Sequence, residues 1–273
     1  MTMVVRNEAT TLPVSLRHHL AHGADAVYVI DHGSTDGTSR LLAHLEREGL
    51  PVEWQRREGP FDQLALATEL ATRAAEAGAD WVVPADGDEL WHAPGGLKAF
   101  LAGHAGADAV SVPFVNFAQW RHARVAGPSS FLTVWTRPAR PVKKSRYDAL
   151  PPEARPPWVA RRPSRKAIAR AGVLLDRGGH EPLDGAAVVR ESSQGACLHV
   201  PLREPAAIAR KPRAEIIRDG LSVEEAWRDN SWVVPTRFGT RASTPLVLDF
   251  RIARIALRHL RQARRDLAAA GIA

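Results

Sequence analysis

The first half of the chain alternates short apolar runs with segments of helical periodicity. Apolar runs at residues 3–5, 26–30, 51–54 and 81–83 predict four strands, and leucines or alanines recur at three- and four-residue spacing between them. Strands that alternate with helices form parallel sheets with right-handed crossovers, and such sheets bind ligands at the carboxyl ends of their strands. We therefore predict an α/β fold with a mostly parallel central sheet flanked by helices.

The second half is less regular. Further strands are predicted at residues 109–117, 131–136, 167–169, 187–189 and 196–200. Proline is poor inside a central strand, so we expect the hydrogen-bonded part of the fourth strand to end at Val83, before Pro84. The Pro- and Arg-rich segment 137–163 predicts an irregular loop, and the pattern is helical from Glu204 onward. We expect a domain at 1–203, with halves 1–120 and 121–203, and a C-terminal helical extension at 204–273.

Composition limits the class of protein and its partners. The 273 residues suffice to bury a core, and the single cysteine, Cys197, excludes an intramolecular disulfide. These features, with no signal peptide and no apolar run long enough to span a bilayer, predict a cytoplasmic protein, attached to a membrane surface at most. The formal net charge of +7 suits phosphate-bearing partners such as nucleotide sugars, nucleic acid or anionic lipid.

An acidic segment, Asp86-Gly87-Asp88-Glu89, directly follows the fourth predicted strand. Residues two apart in an extended chain point the same way, so Asp86 and Asp88 can converge on one point. Gly87 lets the backbone come close to a ligand. Paired carboxylates suit Mg²⁺ or Mn²⁺, which can bridge to a pyrophosphate. The alternative is an ordinary acidic turn that caps a helix.

Polar residues also follow the first two predicted strands. Val5-Arg6-Asn7-Glu8 ends the first strand, and Asp31 ends the second, ahead of Ser34-Thr35-Asp36-Gly37-Thr38. Helix capping explains Thr35 and Asp36 well but leaves Asp31 unexplained, so Asp31 is a candidate acceptor for a ribose or base. The pattern is not a dinucleotide fingerprint.

Together these three strand ends resemble family-2 glycosyltransferases of the GT-A fold. The closest resemblance is to a bacterial branch with the motifs V-R-N-E, D-x-x-S-T-D-G-T and D-x-D-E. It covers about the first 120 residues well and the rest loosely. It implies a cytoplasmic, metal-dependent transferase that uses a nucleotide-diphosphate sugar, with UDP as the default nucleotide.

The resemblance also implies roles for individual residues. The metal would be Mn²⁺ or Mg²⁺, bound chiefly by Asp88, with Asp86 near the ribose or the metal and His199 as a third ligand or a diphosphate contact. His199 could equally be a histidine satisfied by local backbone groups. The implied donor-site residues are Val5, Arg6, Asn7, Glu8, Asp31, Gln63, Asp86, Gly87, Lys166, Arg203 and Lys211. Val200 and Glu204 depart from the family's H-Y-x-x-R-S segment.

An inverting transfer needs a base within about 3 Å of the acceptor hydroxyl. The candidates are Glu89, His180, Glu181 and Asp184. Lys166, Arg203 and Lys211 could stabilise charge on the leaving diphosphate, and segment 137–163 is a candidate lid. The acceptor stays open between a saccharide, a lipid-linked glycan and a secondary metabolite.

Three other functions are compatible with parts of the pattern. A nucleotidyltransferase would also use paired carboxylates, but it usually has a glycine- and arginine-rich phosphate loop after its first strand, where this chain has Arg-Asn-Glu-Ala-Thr. A basic nucleic-acid-binding protein would not place acidic residues in its groove, so no nucleic-acid partner is expected. A scaffold without activity would not need Asp31, Asp86 and Asp88. The arginine-rich face of the C-terminal helix predicts either peripheral membrane contact or a solvated surface.

Overall fold

The computed structural model describes residues 1–120, 127–151, 154, 158–200, 202, 233–234 and 246–272. The chain divides into two compact units. The first comprises Met1–Phe114, Ser164–Leu198 and His259–Ala273, and the second comprises Val115–Pro163 and His199–Arg258. The domain boundaries predicted above stay a prediction.

Strands and helices are numbered in chain order within the described residues. The strands are β1 (Thr2–Val5), β2 (Val27–His32), β3 (Val52–Arg57), β4 (Trp81–Val82), β5 (Glu89–His92), β6 (Ala109–Val112), β7 (Phe114–Asn116), β8 (Gln119–Trp120), β9 (Thr136–Pro138), β10 (Lys166–Arg170), β11 (Val189–Glu191), β12 (Ala196–His199), β13 (Val233–Val234) and β14 (Leu246–Leu248). The helices are α1 (Leu12–Ala21), α2 (Thr38–Arg47), α3 (Gln63–Glu76), α4 (Leu97–Ala102), α5 (Lys144–Asp148) and α6 (Arg251–Ala269).

The first unit contains the predicted parallel sheet. β1, β2 and β3 pair in that order, all parallel, with Thr2 opposite Tyr28 and Val27 opposite Val52. The buried stripe of α2, formed by Leu41, Leu42 and Leu45, belongs to the same hydrophobic core as β1 and β2. The strand–helix alternation predicted from the sequence is therefore confirmed.

The chain after β4 extends this sheet on the free side of β1. Thr2 N–H donates to Val83 O at 3.0 Å, and Ala85 N–H donates to Thr2 O at 3.0 Å. The expectation that pairing ends at Val83 is thus wrong. In this parallel bridge Thr2 lies opposite Pro84 and bonds to the residues on either side of it. The pairing therefore uses no N–H group from the proline.

A second sheet of the first unit has the order β11-β6-β10-β4. β11 runs parallel to β6, whereas β10 runs antiparallel to both β6 and β4. The predicted strand at 167–169 is confirmed, but it enters the sheet in the opposite direction from its neighbours. This arrangement brings Lys166, the first residue of β10, toward the segment after β4.

The structure corrects two further expectations. Residues 131–136 do not form a strand: Gly127–Thr133 is a 3₁₀ helix, and β9 begins only at Thr136. The segment predicted as one strand at 109–117 breaks at Pro113 into β6 and β7.

In segment 137–163 the described residues include α5 and a 3₁₀ turn at Trp158–Ala160, with Arg161 paired to Asp148. Its predicted lid function stays a prediction. Within the described parts of the chain, none of the helices combines the length and apolar composition that crossing a bilayer requires.

Candidate active site

The carboxyl ends of β1, β2 and the segment after β4 meet at one edge of the sheet. Asn7 joins the first two. Its backbone is left-handed (φ 57°), its N–H donates to Ser34 Oγ at 2.8 Å, and its Oδ1 accepts from Thr35 N–H at 2.8 Å. Asparagine adopts this left-handed backbone more readily than most residues. Through its two hydrogen bonds Asn7 holds the loop after β1 against the loop after β2, and we call this arrangement the Asn7 clamp.

Glu8 joins the same edge to the acidic segment. Its N–H donates to Thr38 Oγ1 at 3.0 Å, and its side chain lies directly over Gly87. A Cβ on Gly87 would come within 2.8 Å of Glu8 Cγ, so only glycine fits at this position. The three motifs predicted to act together are therefore in contact.

Two other predicted donor residues, one at the end of β1 and one directly after it, differ in exposure. Arg6 is exposed at the strand end, where its guanidinium can reach a phosphate. The Val5 side chain is buried in the core, so only its backbone faces the edge.

Asp31 has a structural role that the sequence did not reveal. Its carboxylate is fully buried, with Oδ1 accepting from Ser34 N–H at 3.0 Å and Oδ2 accepting from Ser39 Oγ. The Arg56 guanidinium lies 3.6 Å from Oδ2. These contacts build the turn between β2 and α2, and the predicted ribose or base contact of Asp31 stays a prediction.

His32 is a candidate site residue that the sequence analysis missed. Among the residues that the structure describes, only His32 and Thr136 have buried side-chain atoms without a hydrogen-bond partner. For His32 these are both ring nitrogens, and the side chain, on a residue 4% exposed, packs edge-on against Phe61 with ring centroids 5.2 Å apart. A buried polar group left unpaired costs about 1–3 kcal/mol.

A buried ion pair holds the acidic segment. Lys166 Nζ lies 2.7 Å from Glu89 Oε1, and Glu89 Oε2 accepts from Asp86 N–H at 3.1 Å. Burial alone would lower the pKa of Lys166, but the carboxylates of Glu89 and Asp86 outweigh it, so the net shift is upward and the amine is charged. Burial, together with the nearby Glu89, raises the pKa of the Cys197 thiol well above its ordinary value.

Predicted site residues also line a small cavity of about 40 Å³ beside this pair. Asp86, Gln63 and Lys166 line it together with Gly178 and Gly179. Asp86 is half-buried, whereas Asp88 is only 3% exposed. The structure therefore brings Gln63, Asp86 and Lys166 together at one cavity, and their predicted contacts with the donor stay predictions.

The loop that carries the two cavity glycines also carries His180. His180 Nδ1 lies 2.6 Å from the carbonyl oxygen of Arg165. A carbonyl oxygen only accepts, so Nδ1 holds the hydrogen, and in the neutral ring the lone pair is on Nε2. Asp176, which the sequence analysis missed, fixes this loop by accepting from the N–H groups of His180 and Glu181.

The other two candidate bases are exposed. Glu181 has its backbone N–H bound to Asp176, and Asp184 accepts from Ala186 N–H at 2.9 Å in a local turn. Neither residue lines the cavity beside the buried ion pair.

The predicted metal ligands do not form a complete protein site. Among the described residues, no group of three or more His, Cys, Asp or Glu side chains could hold a metal ion. His199 belongs to the second unit, where its Nδ1 lies 3.1 Å from Asn116 Oδ1. Arg203 and Lys211 lie outside the described residues, so their predicted donor contacts stay predictions.

A larger groove of about 500 Å³ lies elsewhere on the first unit, lined by Pro94, Phe100, His104 and residues 191–194 among others. It contains none of the predicted site residues. We assign the site to the strand-end edge because the orphaned imidazole, the buried ion pair and the contacting motifs all lie there.

Comparison with known proteins gives distant structural similarity only. No protein-family profile matches the chain, and no curated protein does. Residues 1–349 of S. aureus TarS align at 14% identity and a TM-score of 0.40, covering 73% of this chain and 59% of that one. The same fragment in complex with UDP-GlcNAc aligns at 12% identity and a TM-score of 0.36, covering 84% and 69%.

The mannosyltransferase PcManGT from Pyrobaculum calidifontis, in complex with GDP-Man and Mn²⁺, aligns at 16% identity and a TM-score of 0.41. That alignment covers 100% of this chain and 75% of PcManGT. Since these similarities are too distant to carry a functional assignment, the residues of the strand-end edge have to carry it.

Proposed function

We propose that this chain is a glycosyltransferase that moves a sugar from a nucleotide-diphosphate sugar, by default a UDP-sugar, to an acceptor hydroxyl with inversion. The observation that carries the proposal is the contact between the three strand-end motifs. Asn7 bonds to the loop after β2, Glu8 covers Gly87, and Asp86 and Asp88 follow on the third segment. A parallel sheet offers its ligand site at this edge.

The donor would lie along the ends of β1 and β2. His32 supplies an unpaired donor and acceptor for a nucleobase edge, and the exposed ring of Phe61 beside it offers an apolar face. The exposed Arg6 is available to a phosphate oxygen. His32 thus joins Asp31, whose carboxylate also builds the turn after β2, as a proposed nucleotide contact.

Asp86 and Asp88 would hold a divalent cation only together with ligands from the substrate and from water. Mg²⁺ and Mn²⁺ commonly bind one or two protein carboxylates and take their other ligands from substrate phosphates and water. Such an ion would neutralise charge on the departing nucleoside diphosphate. Lys166 is a poor substitute, because its ammonium is already committed to Glu89 at 2.7 Å.

The base that we propose is His180. The bond from the sugar C1 to the diphosphate oxygen breaks while a bond from C1 to the acceptor oxygen forms, and the acceptor proton must go to a base. The Nδ1 hydrogen bond leaves Nε2 of His180 with the lone pair. Glu89 is unsuited, because its two oxygens bind Lys166 and the Asp86 N–H. Glu89 would instead position the acidic segment.

The core of the proposal is tested by nucleotide binding. Purified protein is screened by thermal shift against nucleoside diphosphates, with and without Mn²⁺, and nucleoside diphosphate release is then measured from the matching sugar nucleotides. We expect one nucleotide to stabilise the protein in a metal-dependent way, and Asp88→Asn to abolish the response. The control is Asp25→Asn, which alters an exposed carboxylate paired with Lys98. No stabilisation by any nucleotide would reject the proposal.

The base is tested separately. His180→Asn should lower turnover by about 10²- to 10⁴-fold while nucleotide binding is unchanged. Glu181→Gln, one residue away and exposed, is the matched control. An unchanged rate in His180→Asn would assign the proton to another group.

A further inference from the structure

Helix α6 carries an unusual concentration of positive charge. Its 19 residues include six arginines and one acidic residue, Asp266. Asp266 is 1% exposed and binds Arg17 through Nε at 2.5 Å and Nη2 at 2.7 Å. The helix therefore presents no exposed carboxylate of its own.

The structure separates the buried and exposed faces of α6. The buried residues include Ile252, Ile255, Ala256, Ala263 and Leu267, which hold the helix on the protein. The exposed arginines are Arg254, Arg258, Arg261, Arg264 and Arg265. At 100° per residue they fall within a stripe roughly 120° wide, and at 1.5 Å per residue the stripe is about 16 Å long. We call these five residues the arginine stripe.

The arginine stripe has no acidic partner among the residues that the structure describes. In the parts of the chain that the structure describes, none of its five guanidinium groups forms an ion pair, whereas Arg251, at the start of the helix, is paired with Asp249. Five guanidinium groups on one face repel one another and attract a surface of negative charge.

One apolar side chain within the stripe helps to identify that surface. Leu257 is 62% exposed and lies between Arg254 and Arg261 on the same face of the helix. A nucleic-acid backbone would gain nothing from an aliphatic side chain, and the stripe has no aromatic residue for stacking on bases. A lipid headgroup region accepts both, because arginines pair with its phosphates while an aliphatic group enters the acyl boundary.

We propose that the arginine stripe, with Leu257, docks this protein on a bilayer surface rich in anionic lipid. The contact is peripheral and electrostatic, because the apolar face of α6 is already buried in the protein. Its strength falls as salt is raised. The proposal does not depend on the chemistry at the strand-end edge.

The test is co-sedimentation of the purified full chain with vesicles. Phosphatidylcholine vesicles containing phosphatidylglycerol should bind the protein, pure phosphatidylcholine vesicles should not, and added salt should release it. At about fivefold in affinity per arginine near an anionic surface, Arg258→Gln/Arg261→Gln/Arg265→Gln should weaken binding about a hundredfold. Leu257→Asn should weaken binding to the same vesicles while the salt dependence stays unchanged.

The control removes the same charge elsewhere. Arg47→Gln/Arg146→Gln/Arg190→Gln changes three exposed arginines outside α6 and should bind almost as tightly as the parent protein. Thermal melting of both triple variants checks that each is folded. Equal loss in the two triple variants, or no vesicle binding at low salt, would overturn the proposal. Binding to double-stranded DNA as tight as to anionic vesicles would also overturn it, in favour of nucleic acid.

Discussion

Removing Lys166 should destabilise the protein far more than removing a surface lysine. Lys166 and its partner Glu89 are 4% and 1% exposed, and their charged atoms are 2.7 Å apart. Lys166→Met keeps the aliphatic volume but leaves a carboxylate buried without its counter-ion. Breaking a buried pair in this way costs about 3–5 kcal/mol.

The magnitude can be isolated with a double-mutant cycle. Lys166→Met and Glu89→Gln should each lower the free energy of unfolding, whereas the double variant should recover most of the loss because it buries no net charge. With a melting temperature that moves about 2–4 °C per kcal/mol in a chain of this size class, Lys166→Met should melt about 10 °C lower.

The assay is urea denaturation followed by tryptophan fluorescence, with melting temperature as a second probe. Lys98→Met is the control, because Lys98 pairs with Asp25 on the surface, where both side chains are mostly exposed, and it should change the melting temperature very little. The reasoning fails if Lys166→Met and Lys98→Met cost the same, or if the cycle shows no coupling between Lys166 and Glu89.

Three further predictions concern single residues. Gly87→Ala places a methyl group within 2.8 Å of Glu8 Cγ and should weaken nucleotide binding. The control is Gly106→Ala, which has open space around it and should bind nucleotide as the parent protein does. Equal binding by the two variants would contradict the importance of the contact between Gly87 and Glu8. His32→Leu should stabilise the ligand-free protein by about 1 kcal/mol, yet it should bind nucleotide about tenfold more weakly. A variant that is destabilised but binds nucleotide as before would refute the proposed contact of His32 with the nucleobase.

Burial lowers the pKa of His18 to about 3, so below its ordinary pKa of 6.5 the unfolded chain binds a proton that the folded chain does not. His18 should therefore remove about 2 kcal/mol of stability between about pH 7 and about pH 5, and His18→Asn should flatten that slope in urea titrations at several pH values.

The strand ends were predictable because parallel α/β patterns are local. Short apolar runs followed by polar residues marked the ends of β1 and β2, and each lies within one strand–helix unit of the chain. The sequence predicted only that these two strand ends lie close together at one edge of the sheet. It did not show that the side chain of Glu8 contacts Gly87.

The ion pair was not predictable from the same signals. Lys166 reaches Glu89 because β10 enters the second sheet antiparallel to β4 and β6, a choice that no local pattern near Lys166 expresses. The sequence therefore suggested a free lysine for the leaving group and a free carboxylate for the base. In the structure the Lys166 ammonium and the Glu89 carboxylate pair with each other instead.

The structural role of Asp31 was hidden for a related reason. An aspartate at a strand end is typical both of a ligand contact and of a turn, and only the positions of Ser34, Ser39 and Arg56 distinguish the two. The neighbouring His32 carried no sequence signal, because one histidine among eleven is unremarkable until its buried nitrogens are found without partners.

The strand-end edge thus combines two features that a fold selected only for stability would avoid. An imidazole with two orphaned nitrogens costs free energy, and a buried ion pair is commonly no better than an apolar pair of the same volume. Elsewhere on this edge the polar groups are matched, as in the Asn7 clamp and the Asp31 turn. A bound ligand could offset the cost of the unpaired imidazole, and the ion pair holds Asp86 in place. The residues that destabilise the ligand-free protein should therefore contribute most to the free energy of nucleotide binding.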